Sequence, residues 1–286
     1  MDLDRETLKE AIRAALLEME REAQRSPRTA QVSPEEAPAG RPRPRPRVPV
    51  FDPHDLEAVR KASPARLAQG RTGTRYLTEA YVGLRAEHAI ALDAVQSEVA
   101  ESLPAQLGCI SLQTQCKTRE EYLLMPDHGR KLDAASATKL EREASRNVDV
   151  QLICGDGLSA WALEENGPRL VPALKAAIES KGLKVGQPLF VRFARVGVQD
   201  EIGVRTQARA TVILVGERPG LGTGDSLSIY SAYAPRLGQD NAEKDCISNI
   251  RPQGLPPEEA ARECAELLAR SFAAGGGGLH LVRSNR

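Results

Sequence analysis

The chain has 286 residues with 39 basic and 39 acidic side chains, so its formal net charge is zero. This balance argues against nucleic acid as the main partner, because phosphate binding needs an excess of Lys and Arg on one face. Aromatic residues make up only 3% of the chain, which disfavours surfaces that stack on bases. No apolar run approaches the roughly 18 residues of a membrane span, and the first residues lack the pattern of a secretory signal.

The first 25 residues predict an amphipathic helix, because Leu8, Ile12, Leu16 and Met19 recur on one helical face. Residues 26–50 are rich in Pro and Arg, which alternate in the run RPRPRPR, and they predict an extended, disordered linker. A helix on such a tether is either a dispensable tail or a docking and targeting helix that lays its apolar face into a groove of a partner.

Residues 51–146 are expected to form a mainly helical region. Between Tyr76 and Val99 apolar residues recur with helical spacing and predict a helix with one buried stripe. The stripe consists of Leu77, Ala80, Tyr81, Leu84, His88, Leu92, Val95 and Val99. We interpret His88 as a hydrogen-bonded core histidine. A second helix is predicted from about Lys131 to Arg146.

Residues 147–286 alternate apolar strands with helical segments. Strands are predicted at 148–154, 188–193, 210–215 and 226–233, and helices after Gly167-Pro168, over 199–208 and after Pro256-Pro257. This alternation predicts an α/β fold with a parallel sheet flanked by helices. Because ligands bind outside the carboxyl ends of parallel strands, we expect the site in the loops after residues 154, 193 and 215.

The loop after the first of these strands reads GDGLSA, from Gly155 to Ala160, and matches the dinucleotide-binding pattern G-x-G-x-x-A. It leaves open an NAD(P)-binding oxidoreductase subunit as an alternative. The acidic residue expected after the next strand is missing, since Phe193 is followed by Ala194, Arg195 and Val196.

A second glycine-rich loop, GERPGLGTGDS, spans 216–226 and follows the strongest strand. It has no Gly-Lys-Ser or Gly-Lys-Thr and is therefore not a phosphate-binding P-loop. Its glycines allow backbone amides to approach a bulky ligand closely. Glu217 stands where it can meet such a ligand, and we expect Arg218 to hold the loop by an ion pair.

The five cysteines and four histidines are scattered, and no two cysteines have C-x-x-C spacing. We therefore assign no metal ligands and expect a reduced, cytoplasmic setting in which cysteines mainly fill the core. No nucleophile, base and orienting group stand together in a recognisable pattern, so no catalytic residue is assigned.

Several stretches resemble the small subunit of ethanolamine ammonia-lyase, over roughly residues 64–273. The match includes RTGTRYLT at 71–78, MPDHGRKL at 125–132, DVQLICGDGLS at 149–159, ILVGERPGLGTGDSLS at 213–228 and CISNIRPQGLPPEEAA at 246–261.

This resemblance implies an enzyme that converts ethanolamine to acetaldehyde and ammonia by a radical mechanism and uses adenosylcobalamin. It implies that residues 147–286 form a Rossmann-like cobalamin-binding domain, which closes over the cofactor while a large subunit holds the substrate. The cobalamin contacts that the resemblance implies are Val196, Glu217 and Cys246. The N-terminal helix resembles peptides that load enzymes into bacterial microcompartment shells. A non-catalytic corrinoid-binding scaffold remains a further alternative.

Overall fold

The computed structural model describes residues 53–62 and 65–284. They fall into two compact units, the first ending at Leu67 and the second beginning at Ala68. The predicted helix at 1–25 and the predicted linker at 26–50 lie outside the described residues. The first unit contains helix α1, Pro53–Ala62, and the remaining helices and strands belong to the second.

The second unit is built around one six-stranded sheet. The strands of the unit are β1 Arg71–Thr72, β2 Arg75–Tyr76, β3 Ile110–Gln113, β4 Val150–Gly155, β5 Leu189–Arg192, β6 Ala210–Gly216, β7 Leu227–Tyr233 and β8 Lys244–Ile250. The short strands β1 and β2 form a separate hairpin. The large sheet has the order β3-β5-β4-β6-β7-β8.

The helices of this unit are α2 Thr78–Gln96, α3 Leu103–Gln106, α4 Arg119–Leu124, α5 Ala134–Glu143, α6 Ala160–Glu179, α7 Val198–Thr206, α8 Pro257–Ala274 and α9 Leu279–Ser284. Two 3-10 helices occur at His128–Arg130 and Asn241–Glu243. Among the described residues, no helix combines the length and apolar character that crossing a membrane requires.

The sheet is mainly parallel. Strands β3, β5, β4 and β6 run parallel to one another, whereas β7 pairs antiparallel with β6 and with β8. The parallel arrangement predicted for β4, β5 and β6 is therefore confirmed, and its extension to β7 is wrong. The loop 217–226 contains no crossover helix, so the chain returns directly beside β6 in the opposite direction. Strands β3 and β8 have no counterpart among the predicted strands.

Helices cover both faces of the sheet. Helices α5 and α7 pack on one face, where Ile213 and Val215 of β6 point into an apolar cluster. Helices α6 and α8 cover the other face, towards which Val212 and Leu214 point. All of β6 is buried, and its sequence is apolar apart from Thr211.

Helix α6 begins earlier than predicted. It starts at Ala160, directly after the GDGLSA turn, so Pro168 and Pro172 lie inside the helix. The dipeptide Gly167-Pro168 reads as a helix start because proline favours the first turn. Here Gly167 is buried, and a Cβ at that position would lie 3.2 Å from Leu163 Cδ1, so the glycine permits close packing within the core.

Helix α2 confirms the helical periodicity, but its stripe is not buried as predicted. Tyr81, Leu84 and Leu92 are 54%, 39% and 51% exposed. His88 is exposed as well, which corrects its interpretation as a core histidine. Periodicity shows that a helix has an apolar face, but it does not show which molecule covers that face.

Candidate functional site

Glu217 follows β6 and begins the glycine-rich loop. Its backbone N–H donates to the Ser226 carbonyl at 3.0 Å, which closes the base of the loop. Ser159 Oγ donates to the Gly224 carbonyl, and Asn166 Nδ2 donates to the Asp225 carbonyl at 2.8 Å. The end of the loop at Gly224 and Asp225 is therefore bonded to the first turns of α6, while the Glu217 side chain remains half-buried.

Arg218 does not have the predicted role. It is exposed and forms no ion pair among the described residues. The ion pair of this loop joins Asp225 to Arg251 Nη1 at 3.2 Å. The charge that anchors the loop thus comes from the segment after β8, which sequence spacing alone could not indicate.

Val196 lies in the loop between β5 and α7. Two amides of this loop, those of Phe193 and Ala194, donate to the Asp156 carboxylate at 2.8 and 3.0 Å. The Arg195 N–H donates to the Gly129 carbonyl at 2.8 Å. These bonds hold Val196 half-buried at the carboxyl edge, against the apolar cluster under α7.

A stack of three side chains also supports the Val196 loop. The Tyr122 ring lies near two guanidinium groups, with the Cζ atoms of Arg119 and Arg195 at 4.8 and 4.4 Å from the ring centroid. Arg195 Nη2 donates to the Tyr122 carbonyl at 2.8 Å, and Arg119 Nη1 donates to the Gly157 carbonyl at 2.7 Å. Helix α4 is thereby joined to the loops after β4 and β5.

Cys246 lies on β8 and is exposed, whereas the other four cysteines are buried or partly buried. Its neighbour across the strand pair is Tyr230 of β7, which in turn pairs with Ile213 of β6. Residues opposite one another in a sheet point to the same face. Tyr230 and Cys246 therefore lie on the face that carries α7.

Tyr230 adjoins two of the three predicted site residues and shares an apolar cluster with the third. Its hydroxyl donates to Glu217 Oε1 at 2.9 Å. Its ring packs against the same apolar cluster as Val196, and its cross-strand neighbour is Cys246. Sequence reasoning missed Tyr230, because its relation to Glu217 depends on the antiparallel register of β7 against β6.

The electrostatics of this group favour neutral side chains beside Glu217. Burial raises the pKa of the Tyr230 hydroxyl, and the hydrogen bond to Glu217 raises it further. Partial burial also raises the pKa of the Cys246 thiol, and the Glu217 charge adds to this effect, while the hydrogen bond with Tyr230 opposes it. Both effects favour the protonated phenol and the protonated thiol near Glu217.

Two buried polar atoms near this group have no hydrogen-bond partner among the described residues. They are Ser228 Oγ, two residues before Tyr230 on the same face, and Arg195 Nε, next to Val196. Unpartnered buried polar atoms are uncommon in folded proteins. This face of the sheet thus offers an apolar side chain, a carboxylate acceptor and an exposed thiol.

The GDGLSA turn is built for internal packing and not for a dinucleotide. Gly157 has a φ of +61°, and a Cβ there would clash with the Gly216 carbonyl oxygen. The Gly157 N–H donates to Asp156 Oδ1 at 3.0 Å, and the Leu158 N–H donates to Gly216 O at 2.8 Å. The amides that a pyrophosphate would need are already bonded within the protein, beside a buried carboxylate. The oxidoreductase alternative is therefore not supported.

No group of three or more His, Cys, Asp or Glu side chains able to hold a metal ion occurs within the part of the chain that the structure describes. As the candidate site we take the surface around Tyr230, which we call the Tyr230 site and define by Val196, Glu217, Tyr230 and Cys246.

Comparison with known proteins places this geometry in a family. Residues 53–282 match the model of the ethanolamine ammonia-lyase light chain (EutC) family. A curated relative, the ethanolamine ammonia-lyase small subunit of Clostridium acetobutylicum, is 39% identical over 214 residues, which cover 75% of this chain and 88% of the relative. Together these matches show that the chain belongs to the ethanolamine ammonia-lyase light chain family and is a subunit of that lyase.

Proposed function

We propose that this chain is the cofactor-binding subunit of an adenosylcobalamin-dependent ethanolamine ammonia-lyase. In this proposal the Tyr230 site covers one side of the cobalamin, and a large subunit holds ethanolamine and covers the other side. The enzyme converts ethanolamine to acetaldehyde and ammonia. Strands β4, β5 and β6 with α6 and α7 form the Rossmann-like unit that presents the site.

The residues at the Tyr230 site fit the periphery of a corrinoid. Corrin side chains end in amides, whose N–H groups the Glu217 carboxylate can accept in charge-assisted hydrogen bonds. Val196 offers apolar contact to the ring. Cys246 is small and neutral, and its exposure allows a ligand to approach the sheet closely.

Bound adenosylcobalamin would supply the radical chemistry of the reaction. In our proposal Val196, Glu217 and Cys246 neither donate nor remove a proton. They bind and orient the cofactor. Tyr230 keeps the Glu217 carboxylate in place through its 2.9 Å hydrogen bond. The surrounding sheet face excludes water from one side of the cofactor.

One observation carries the proposal. Val196, Glu217 and Cys246 are separated by up to 50 residues in sequence, yet Glu217 and Cys246 both adjoin Tyr230, and Val196 packs against the same apolar cluster as Tyr230. Two of them follow the carboxyl ends of parallel strands, which is where α/β sheets bind ligands. A merely structural role would not require Cys246 to be exposed.

The test measures cobalamin binding by the complex of this chain with the large subunit. A lost hydrogen bond to a carboxylate costs about 1.5–3 kcal/mol, or about ten- to a hundredfold in affinity. Glu217→Ala should raise the apparent cobalamin dissociation constant by that factor, as followed by the change in cobalamin absorbance on binding, with the subunits still assembled. Arg218→Ala is the matched control, because that neighbouring side chain is exposed and forms no ion pair within the described residues.

Equal affinities of the wild type and Glu217→Ala for cobalamin would refute the assignment. Cobalamin binding without any turnover of ethanolamine would favour the scaffold alternative.

We also propose that the enzyme is cytoplasmic and enclosed in a bacterial microcompartment, with residues 1–25 as the targeting helix. The apolar positions Leu8, Ile12, Leu16 and Met19 support this idea, because a tethered helix can lay such a face into a groove. Deleting residues 1–25 should leave the specific activity intact and abolish co-purification with shell proteins. Shell association that survives the deletion would exclude this role.

A further inference from the structure

Helix α2 carries an uncovered apolar stripe. Leu77, directly before the helix, is 40% exposed, and Tyr81, Leu84 and Leu92 are 54%, 39% and 51% exposed. Only Ala94 of this helix is fully buried. The stripe from 77 to 92 extends over about 22 Å at the helical rise per residue. An exposed apolar surface of this length is typical of a protein–protein contact.

The hairpin before α2 extends this surface. Tyr76 is 58% exposed, and the Arg71 guanidinium lies over its ring, with Cζ 4.6 Å from the centroid. Arg71 Nη2 also donates to the Tyr76 hydroxyl at 3.2 Å. The pair holds Tyr76 in one orientation at the surface. Tyr and Arg are enriched in the cores of interfaces and among the residues that dominate binding energy.

The helix lies directly beside the loop that carries Glu217. A Cβ added at Gly222 would lie 3.4 Å from Glu87 Cγ, and a Cβ added at Gly224 would lie 2.9 Å from Ala94 Cβ. The glycines of the loop therefore allow it to pack against α2. The exposed stripe and the Tyr230 site are joined through this loop.

We propose that the α2 surface, defined as Tyr76, Leu77, Tyr81, Leu84 and Leu92, is a docking surface for the large subunit. This inference rests on the proposed function, in which the large subunit covers the cofactor at the Tyr230 site. Because the glycine-rich loop joins that site to α2, a partner that covers the cofactor reaches both. Docking on α2 would also fix the loop from its outer side and so couple subunit assembly to the position of Glu217.

The test compares three variants of the full chain in binding to the purified large subunit. Tyr81→Glu and Leu84→Glu place a charge in the stripe, and we expect each to raise the apparent dissociation constant about thirtyfold or more. Ala86→Glu is the matched control, because residue 86 is exposed and lies on the far side of the same helix by its periodicity. It should bind within about twofold of wild type. The dissociation constants come from analytical ultracentrifugation, and melting temperatures confirm that all three variants are folded.

Wild-type affinity of both stripe variants for the large subunit would overturn the proposal. So would self-association of the isolated chain that the same variants abolish, since a second copy would then be the occupant. A third outcome concerns residues 1–25. If their deletion increases the affinity of the wild-type chain for the large subunit but does not increase that of Tyr81→Glu, the surface is instead assigned to the chain's own N-terminal segment. The outcome for the proposed function is separate: if Glu217→Ala weakens cobalamin binding while the stripe variants assemble normally, only the docking proposal fails.

Discussion

Tyr230 donates its phenol hydrogen to Glu217 Oε1 at 2.9 Å, so the middle of β7 is bonded to the residue that follows β6. The bond exists because β7 returns antiparallel beside β6 and brings Tyr230 opposite Ile213, on the face from which Glu217 extends. A side chain that is half-buried and bonded in this way loses less freedom when a ligand arrives. We therefore propose that Tyr230 positions the carboxylate.

Removing this hydrogen bond should weaken cobalamin binding less than removing the carboxylate itself. Tyr230→Phe keeps the ring and its packing, and it removes only a hydrogen bond that positions the carboxylate and is present before the ligand binds. We expect the apparent cobalamin dissociation constant of the assembled enzyme to rise about two- to tenfold. Tyr233→Phe is the control on the same strand, since that ring packs edge-on against Phe272 on the opposite face of the sheet. Similar changes in both variants would argue against a positioning role.

The alkylation rate of the Cys246 thiol depends on the charge of Glu217 and on the hydrogen bond with Tyr230. Partial burial and the Glu217 charge raise the pKa of its thiol. Because the thiolate is the nucleophile, alkylation by iodoacetamide at neutral pH should be slower than for a free cysteine and should accelerate as the pH rises towards the raised pKa. Glu217→Gln should speed the reaction and Tyr230→Phe should slow it, as followed by mass spectrometry of the modified peptide.

Cobalamin and the large subunit together should protect Cys246 from alkylation. The other four cysteines serve as internal controls, because all of them are buried or partly buried. If Cys246 reacts equally fast in the loaded complex and in the isolated chain, the cofactor does not cover this part of the sheet.

The turn after β4 tests whether its glycines serve packing. Gly157→Ala should lower the free energy of unfolding by about 3 kcal/mol, since it combines a left-handed backbone with a clash against the Gly216 carbonyl. Gly182 has a φ of +76°, and a Cβ there would have open space within 4 Å, so Gly182→Ala isolates the backbone cost. That cost is about 1 kcal/mol. Urea denaturation measures both, and equal losses would mean that the close approach to Gly216 is unimportant.

Asp149 precedes β4, at the amino end of the parallel strands, and acid should remove its contribution to stability. The Lys184 N–H and the Arg209 guanidinium lower the pKa of this carboxyl below its ordinary 3.8. A lowered pKa means that the contribution is complete above that ordinary value and disappears as the pH falls through the lower value of the folded protein. Asp149→Asn should therefore lose about 1.5 kcal/mol of unfolding free energy near neutral pH and show a smaller further loss on acidification. Asp127→Asn is the control, because that side chain is 81% exposed and its ion pair with Arg130 should contribute little.

The sequence predicts the centre of the sheet well and its margin poorly. Strands β4 and β6 are apolar apart from Gln151 and Thr211, because both faces of the sheet are covered there. Strand β8 contains Asp245, Ser248 and Asn249, and its alternating burial leaves one face exposed, so its composition does not predict a strand. Cys246 could therefore be assigned from the resemblance, but its place on a strand could not be predicted.

The candidate site shows the same limit. Glu217 and Val196 could be placed at carboxyl ends, because a strand prediction gives the end of the strand. Tyr230 has no sequence signal of its own, since its partner is set by the pairing of β7 with β6. The stripe on α2 is visible as a sequence pattern, and only the structure shows that this chain leaves it exposed.

The antiparallel pair β7–β8 has a consequence for the size of ligand that the fold accepts. On the face that carries α7, Tyr230 is half-buried and Cys246 is exposed, so a ligand can reach this part of the sheet. Each strand added beside β6 widens the sheet by about 4.8 Å. A doubly wound core that gains two strands in this way can support a broad, flat molecule on its side, whereas a deep cleft between two helices admits only a narrow one. In our proposal the breadth of the sheet, and not the depth of a pocket, then determines which ligand binds.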